Sequence, residues 1–149
     1  MEMPVRFYRY RYQDYWEAEL PVEWIVRDLG NGISFAAKNP GGEIFSVWTK
    51  SQADFEKDQD KAHPVTVKDW RLVTSLYKTL DEEDTLREPD MECGLWNKDF
   101  EAWFRIRNWR FRGGDFLISV MHDTKAKRID SVHDSIVDRF VRTLSLVER

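Results

Sequence analysis

The amino-acid sequence predicts an α+β fold in which an antiparallel sheet of about six to seven strands is flanked by two main helices. Strand-like runs follow one another through short turns instead of alternating with helices, an order that is typical of antiparallel sheets. Only two segments repeat their apolar residues at the period of a helix. With 149 residues, 42% of them hydrophobic, the chain fits one domain, residues 1–149, around a single core.

The first two strands are predicted at residues 5–12, VRFYRYRY, and 15–20, YWEAEL, because both runs alternate. A two-residue turn at Gln13 and Asp14 would join them into a hairpin. In that register Arg11 lies opposite Trp16, with Arg9 opposite Ala18. The pairing therefore predicts an arginine beside an indole ring.

A second hairpin is predicted at residues 33–37, ISFAA, and 43–50, EIFSVWTK. The KNPGG segment between them is interpreted as its turn, because it lacks the GxxxxGK spacing of a phosphate-binding loop. Before the hairpin, LGNG predicts a turn in which Gly30 and Gly32 tolerate positive φ. Residues 51–65 have little apolar periodicity and are predicted to form a loop or a weak helix.

The first main helix is predicted over residues 66–80, where apolar side chains form one stripe: Trp70, Val73, Leu76, Tyr77 and Leu80. The acidic DEED motif at residues 81–84 would be unfavourable at the carboxyl end of a helix dipole. We therefore expect this helix to end near Leu80.

Three further strands are predicted at residues 91–96, 101–112 and 116–121. In the second of them the apolar residues change face between Ile106 and Trp109, which predicts a β-bulge near Arg107 and Asn108. The Gly-Gly of RGGD predicts a turn into FLISVM, a nearly continuous apolar run that is typical of a central strand covered on both faces.

The last helix is predicted over residues 131–146, with Ser131 as its N-cap. One stripe carries its apolar side chains: Val132, Ile136, Val137, Phe140 and Leu144. Two helices and about six to seven strands complete the predicted architecture.

Charge and composition exclude several classes of function. The formal net charge is −4 and the sequence pI about 5.4, whereas nucleic-acid binding needs a net basic surface. The only cysteine, Cys93, cannot form an intrachain disulfide, and no Cys/His cluster has metal-site spacing. No apolar run approaches the roughly 20 residues that span a bilayer, and the N-terminus has no signal-peptide core. We expect a cytoplasmic protein without nucleic acid, membrane insertion, metal or cofactor.

Residues 103–115, WFRIRNWRFRGGD, alternate aromatic residues with arginines. Flat indole rings and guanidinium groups could stack on bases or hold an apolar segment of a partner protein. The same alternation is typical of a half-buried strand whose rings pack on helices while its arginines pair with acids. Because the net charge is negative, we interpret the run as a strand of the sheet.

Candidate catalytic residues are few. His122 and Asp123 follow the predicted central strand, but neighbours on a strand point to opposite faces and would not readily bond each other. His133 lies at the start of the last helix, and no nucleophile-elbow motif accompanies either histidine. Cys93 lies within a predicted strand, where we expect a buried, inert thiol. We predict no catalytic residue, although an enzyme stays one hypothesis.

Residues 81–90 form an acidic segment that could bind a cation or a basic partner. The segment lacks the alternating ligands and the glycine of an EF-hand. We therefore predict no metal ligands there and interpret the charges as a solvated surface or a site for a basic protein.

Aromatic residues are abundant, with seven Trp, nine Phe and five Tyr. Aromatic side chains and arginine are enriched where proteins meet, so a sheet face lined by them could hold an apolar helix or peptide. The residues predicted to contact such a partner are Trp16, Trp48, Trp103, Arg105 and Trp109. The alternative is that the tryptophans form an aromatic core.

Several segments together resemble the PsbP-like α/β sandwich superfamily: LPVEW, GISFAAKNPGGEIFSV, the midchain helix, the Arg/Trp hairpin and DSIVDRFVRTLSL. The superfamily includes a photosystem II extrinsic subunit, a yeast Ran-binding nuclear import factor, DcrB-type periplasmic lipoproteins and bacterial chaperones of type VI secretion effectors. The resemblance implies an α/β/α sandwich. It also implies a bacterial protein whose role is to bind other proteins.

Three functional hypotheses follow. The first is a non-catalytic protein-binding domain, an adaptor or chaperone that shields an apolar segment of a secreted effector. The second is a cytoplasmic immunity protein that neutralises a basic toxin through the acidic residues 81–90. The third is a small enzyme, for which a histidine or Cys93 would have to meet carboxylates in a pocket. Each of them is compatible with a homodimer.

Overall fold

The computed structural model of the chain describes residues 5–30, 32–37, 43–59, 70–80 and 86–148. These residues form an α+β architecture with two sheets, which confirms the predicted fold class. The strands are β1 (Phe7–Tyr12), β2 (Trp16–Pro21), β3 (Ile25–Asp28), β4 (Gly32–Ala36), β5 (Glu43–Ser51), β6 (Lys78–Thr79), β7 (Met91–Asn97), β8 (Ala102–Arg112), β9 (Phe116–Lys125) and β10 (Ser145–Leu146). The helices are α1 (Gln52–Gln59), α2 (Trp70–Thr74) and α3 (Ser131–Thr143), with a short 3₁₀ helix at Ala126–Arg128.

The larger sheet has seven strands in the order β3-β4-β5-β9-β8-β6, and β7 also pairs with β8. Its pairings are antiparallel except for β6, which runs parallel to the last two residues of β8. Strand β9 lies between β5 and β8 and is largely buried. This confirms the prediction of a central strand. Its side chains on one face are buried from Phe116 to His122, whereas on the other face Ser119 and Met121 are only partly buried.

The smaller sheet has the order β1-β2-β10, and its hairpin differs from the predicted register by one residue. Tyr12, not Arg11, lies opposite Trp16. The turn is one residue longer than predicted, because Gln13 adopts a φ of 48° and the Tyr15 amide donates to the Tyr12 carbonyl at 3.1 Å. The prediction that an arginine lies beside the Trp16 indole ring is therefore wrong. The register places tyrosine rings on the core side and leaves the arginines to pair with acids at the surface.

The second hairpin is confirmed as β4 and β5, and its KNPGG turn lies outside the described residues. Strand β3 was not predicted; all four of its residues are exposed, so burial leaves no alternating signature in its sequence. Gly30 has the predicted positive φ, at 91°. Gly32 instead begins β4, where a Cβ atom would lie 2.4 Å from the Trp48 ring. A glycine there lets the indole lie against the strand.

The predicted helix over residues 66–80 is wrong in its second half. Helix α2 ends at Thr74, a turn follows, and β6 then pairs with β8; residues 66–69 lie outside the described part. The Leu80 amide donates to the Arg112 carbonyl at 3.2 Å, so the edge of the sheet supplies a hydrogen-bond partner that a helix would otherwise supply. Because that partner lies far away in sequence, a local apolar stripe could not indicate it.

Helix α3 confirms the predicted last helix, with small differences at its ends. Its N-cap is Asp130 in place of Ser131, because the Asp130 carboxylate accepts a hydrogen bond from the Val132 amide at 2.8 Å. Ile136, Val137 and Phe140 are buried as the stripe predicts, whereas Val132 is exposed.

Strand β8 contains no bulge. It pairs with β9 in one continuous register from Phe104 to Arg112, and with β7 from Ala102 to Asn108. Phe104 and Ile106 therefore stay on one face of the sheet, while Trp109 and Phe111 lie on the other. Both faces accept apolar side chains, so a change of face needs no extra residue.

The core lies between the smaller sheet, α3 and one face of the larger sheet, which we call the helix face. Phe140 of α3 marks its centre, since its ring lies 5.6 Å from Trp16, 5.3 Å from Phe35 and 4.8 Å from Phe45. We call the opposite side of the larger sheet the far face. Within the described ranges, no helix has the length and apolarity needed to cross a membrane.

Candidate functional site

The five predicted contact residues do not form one surface. Trp16 and Trp109 are 0% and 1% exposed, whereas Trp48 is 37% and Trp103 57% exposed. The strand register places Trp103, Arg105 and Trp109 on the helix face, and Trp48 on the far face. A partner could therefore reach Trp103 and Trp48, but from opposite sides of the sheet.

Trp16 and Trp109 are core residues whose indole N–H groups are satisfied inside the protein. The Trp16 Nε1 donates to the Thr49 hydroxyl at 2.9 Å, and the Trp109 Nε1 donates to the Arg87 carbonyl at 2.9 Å. The Arg107 guanidinium lies 4.8 Å from the centre of the Trp109 ring. These two residues offer no surface to a partner, as the core alternative predicts.

A cluster of exposed apolar side chains lies at the end of the β7–β8 hairpin, and we call it the aromatic hairpin: Leu95, Trp96, Phe100 and Trp103. Their exposed fractions are 52%, 46%, 62% and 57%. Trp96 pairs across the strands with Trp103, and their ring centres are 5.7 Å apart. Solvated aromatic rings in such a group are typical of an interaction site.

The turn of the aromatic hairpin is held by its own hydrogen bonds. The Asn97 side chain accepts from the backbone amides of Asp99 and Phe100 at 2.9 and 3.1 Å, and Glu101 has a φ of 48°. The Phe100 ring lies 5.7 Å from Phe104 and 5.2 Å from the Lys125 ammonium. The exposed rings are therefore presented by a defined turn.

A polar network links β8 to α3 beside this cluster. Arg105 donates two hydrogen bonds to the Asp134 carboxylate, at 2.9 and 2.6 Å. Arg107 donates to Asp138 at 2.8 Å. Burial alone would raise the pKa of Asp134, but the hydrogen bonds and charge of Arg105 lower it below the usual value. Arg105 therefore fixes the start of α3 on the sheet and is not free to bind a partner.

His122 is a neutral member of this network. Burial, together with the positive charge of Arg107, lowers its pKa from 6.5 to about 4. The Arg107 Nη2 lies 2.9 Å from Nδ1, which must accept, so the proton resides on Nε2 beside the Thr124 hydroxyl at 3.0 Å. Both ring nitrogens are partnered, and the residue serves the fold.

The other candidate catalytic residues do not converge. Asp123 follows His122 on the strand and is exposed while His122 is buried. Cys93 is exposed, so the predicted buried thiol is wrong. The register places Cys93 on the far face and His122 on the helix face, which separates the thiol from the imidazole. His133 lies edge-on to Trp24 with ring centres 5.9 Å apart.

The acidic segment is described only from Leu86 onward. Asp90 accepts from the Arg110 amide at 2.7 Å and lies 3.7 Å from the Lys78 ammonium. No group of three or more possible metal ligands occurs in the part of the chain that the structure covers. The charge of Asp90 is therefore partly neutralised by the sheet that it flanks.

A cleft of about 320 Å³ lies between this segment and α3. Its lining combines charges of both signs with two apolar residues: Leu86, Arg87, Glu88, Pro89, Glu92, Arg107, Asp138 and Arg142. Arg87 is buried and donates to the Val141 and Leu144 carbonyls at 2.7 and 2.6 Å, which caps the end of α3. The side chains of Arg87 and Arg107 are thus held by the fold.

Comparisons with known proteins add information on the fold. No protein-family model and no curated protein matches the sequence. Among solved structures, the chain is similar to a protein from Bacteroides thetaiotaomicron VPI-5482 whose crystal structure has a resolution of 1.50 Å. The TM-score is 0.53 and the sequence identity 11%. The match covers 90% of this chain and 46% of that chain, so this chain spans about half of that protein's length. At this identity, the likeness concerns the fold alone.

Proposed function

We propose that the chain is a non-catalytic protein-binding domain whose aromatic hairpin holds an apolar segment of the partner. The observation that carries the proposal is the exposure of Trp96, Phe100 and Trp103, each close to half or more. Aromatic residues at such positions contribute most of the binding energy in many protein interfaces. Burying one large apolar side chain stabilises a complex by roughly 1.5–3 kcal/mol.

The remaining features of the site agree with binding better than with catalysis. The thiol and the histidine of the sheet do not converge, since Cys93 lies on the far face and His122, on the helix face, has both ring nitrogens occupied. The hairpin turn is fixed by Asn97, so the turn loses little conformational freedom when a partner binds. A rigid, apolar and solvated surface is suited to recognition.

The partner class we propose is the apolar segment of a secreted effector, with the chain as its adaptor or chaperone. The support is the resemblance of the sequence to PsbP-like proteins, whose known members mainly bind proteins, together with the aromatic hairpin. The immunity hypothesis depends on residues 81–90, of which 81–85 lie outside the described residues. No described contact favours it.

The test compares two double variants in binding to a partner purified with the tagged protein. Trp96→Ala with Trp103→Ala should weaken binding by about tenfold or more, since the variant removes two aromatic anchors. The matched control is Leu76→Ala with Val22→Ala, whose side chains are 60% and 55% exposed elsewhere. Equal affinities for both double variants would refute the proposal.

A further inference from the structure

Strand β7 has an outer edge that is open within the part of the chain that the structure describes. It pairs with β8 through seven consecutive residues, Met91 to Asn97, without a shift of register. Among the strands that the structure describes, β8 is the only one that pairs with it. All of its residues except Asn97 are exposed. A regular strand of this kind presents a row of unpaired backbone groups to solvent.

This edge lacks the features that keep other edges from pairing. Exposed edge strands usually carry lysine, proline, a bulge or several charges. Strand β1 carries two arginines, FYRYRY, and β3 carries Arg27 and Asp28. In MECGLWN the only charged residue is Glu92. Of these three edges, β7 is therefore the one best able to accept another strand.

The side chains beside the edge are apolar on both faces of the sheet. Trp96 and Trp103 lie on the helix face, whereas Leu95 and Phe104 lie on the far face. A strand added to β7 would send alternate side chains to these two sites. Apolar residues at successive positions of that strand would thus be buried, which a helix in a one-sided groove does not require.

The charges around β7 indicate which residues should flank the apolar segment of a bound strand. Residues 88–101 contain five carboxylates and a single lysine, Lys98. Asp90 is held by Lys78, while the other four carboxylates accept no hydrogen bond from the described residues: Glu88, Glu92, Asp99 and Glu101. Complementary charge on a partner means lysine or arginine at the ends of its apolar segment. A second copy of this chain would bring two acidic stretches together.

We propose that β7 binds an extended apolar segment, flanked by lysine or arginine, as an additional strand of the larger sheet. The inference rests on the proposed function and specifies its binding mode and the chemistry of the partner. Backbone hydrogen bonds along β7 supply general affinity, and the two apolar sites supply selectivity for side chains.

The test uses the labelled peptide KKTVLVTVKK and two controls, EETVLVTVEE and a form of the first peptide N-methylated at alternate residues. Anisotropy should show binding of the lysine-flanked peptide at least about tenfold tighter than either control. Amide hydrogen exchange, followed by NMR, should slow at alternate residues of β7 when the peptide binds. Leu95→Lys should weaken binding by about tenfold, whereas Leu76→Lys, at a similarly exposed site, should not.

Each other outcome overturns the inference. Binding without protection of β7 amides would mean that side chains alone hold the peptide, and absence of binding would remove strand addition altogether. Protection of β7 that depends on protein concentration without peptide would identify a second copy as the occupant. Loss of partner binding in the Trp96 and Trp103 variant, with unprotected β7 amides, would leave the proposed function standing without strand addition.

Discussion

Two pairs of tryptophans in this protein differ in role although they occur in similar alternating runs. Trp16 and Trp109 are buried, and each donates its N–H to a partner inside the fold. Trp96 and Trp103 contact each other edge-to-face, half exposed to solvent, at the end of a hairpin. The difference lies in what covers each strand. Trp16 packs against Phe140 of α3, whereas Trp109 lies beside Arg87, which caps the end of that helix. Burial is therefore decided by distant elements and not by the local pattern.

The largest expected effect follows from removal of a buried ring. Trp109→Ala should lower the free energy of unfolding by about 3–5 kcal/mol, because the cavity, the lost N–H bond and the contact with Arg107 add together. Trp103→Ala should change it by less than about 1 kcal/mol, because that ring is already solvated. Urea unfolding of both variants measures the difference. Equal losses would contradict the contrast between the two pairs.

The second effect is a pH dependence of stability that arises from His122, whose partner Arg107 also contacts the Trp109 ring. The unfolded chain binds a proton at the ordinary histidine pKa of 6.5, whereas folded His122 has a pKa of about 4. The contribution of neutral His122 to the free energy of unfolding is therefore fully present above pH 6.5. It falls by about 3 kcal/mol as the pH drops to 4. Burial lowers the pKa of His122 most. The charges of Arg107, Arg105 and His133 lower it further, whereas that of Asp134 raises it.

Urea midpoints measured between pH 7 and pH 4 check this dependence. His122→Gln keeps a side chain that can accept from Arg107 but does not titrate, so its stability should stay nearly flat through that window. A wild-type slope that persists in His122→Gln would assign the dependence to other groups.

A third, smaller effect distinguishes paired charges on the core side from those at the surface. Asp134→Asn should cost about 2 kcal/mol, because the two bonds from the half-buried Arg105 lose their ionic partner. Glu17→Gln, which weakens the exposed pair with Arg9, should cost less than about 1 kcal/mol. Chemical unfolding at pH 7 compares them. A larger loss in Glu17→Gln would reverse our assignment.

The smallest effect concerns Trp48, whose ring rests on Gly32. Gly32→Ala should cost about 1 kcal/mol, because its Cβ would lie 2.4 Å from the ring, which can move outward into solvent. Gly94→Ala is the control, since its Cβ meets nothing closer than the Phe104 carbonyl at 3.9 Å. Thermal unfolding should separate them, and the cost of Gly32→Ala should vanish in a Trp48→Ala background. If Gly32→Ala still lowered stability in that background, the cost would come from the backbone and not from the Trp48 ring.

The sequence predicted the elements whose burial is reflected in local periodicity. Helix α3 repeats its apolar residues at the helical period, and β4 and β9 are short, nearly continuous apolar runs. All three were predicted correctly. Strand β3 is exposed along its whole length and leaves no such pattern. Helix α2 was overestimated because the pairing of β6 with β8 is not local.

The candidate site was predicted only in part for the same reason. Trp103 was identified from its aromatic and cationic run, but the same argument selected Trp109, which lies on the same face and is buried. Trp96 and Leu95 were missed because MECGLW has the composition of a buried strand. An apolar composition on an exposed edge strand indicates an interaction site. Only a structure, however, reveals that the strand lies at an edge.

The most direct test of our central claim, that the exposed tryptophans hold a partner while the buried ones hold the fold, is photo-crosslinking in the native host. A photo-reactive phenylalanine at position 103 should form an adduct with one protein, and the same group at position 76 should not. Equal adducts from both positions, or none from position 103, would contradict the account.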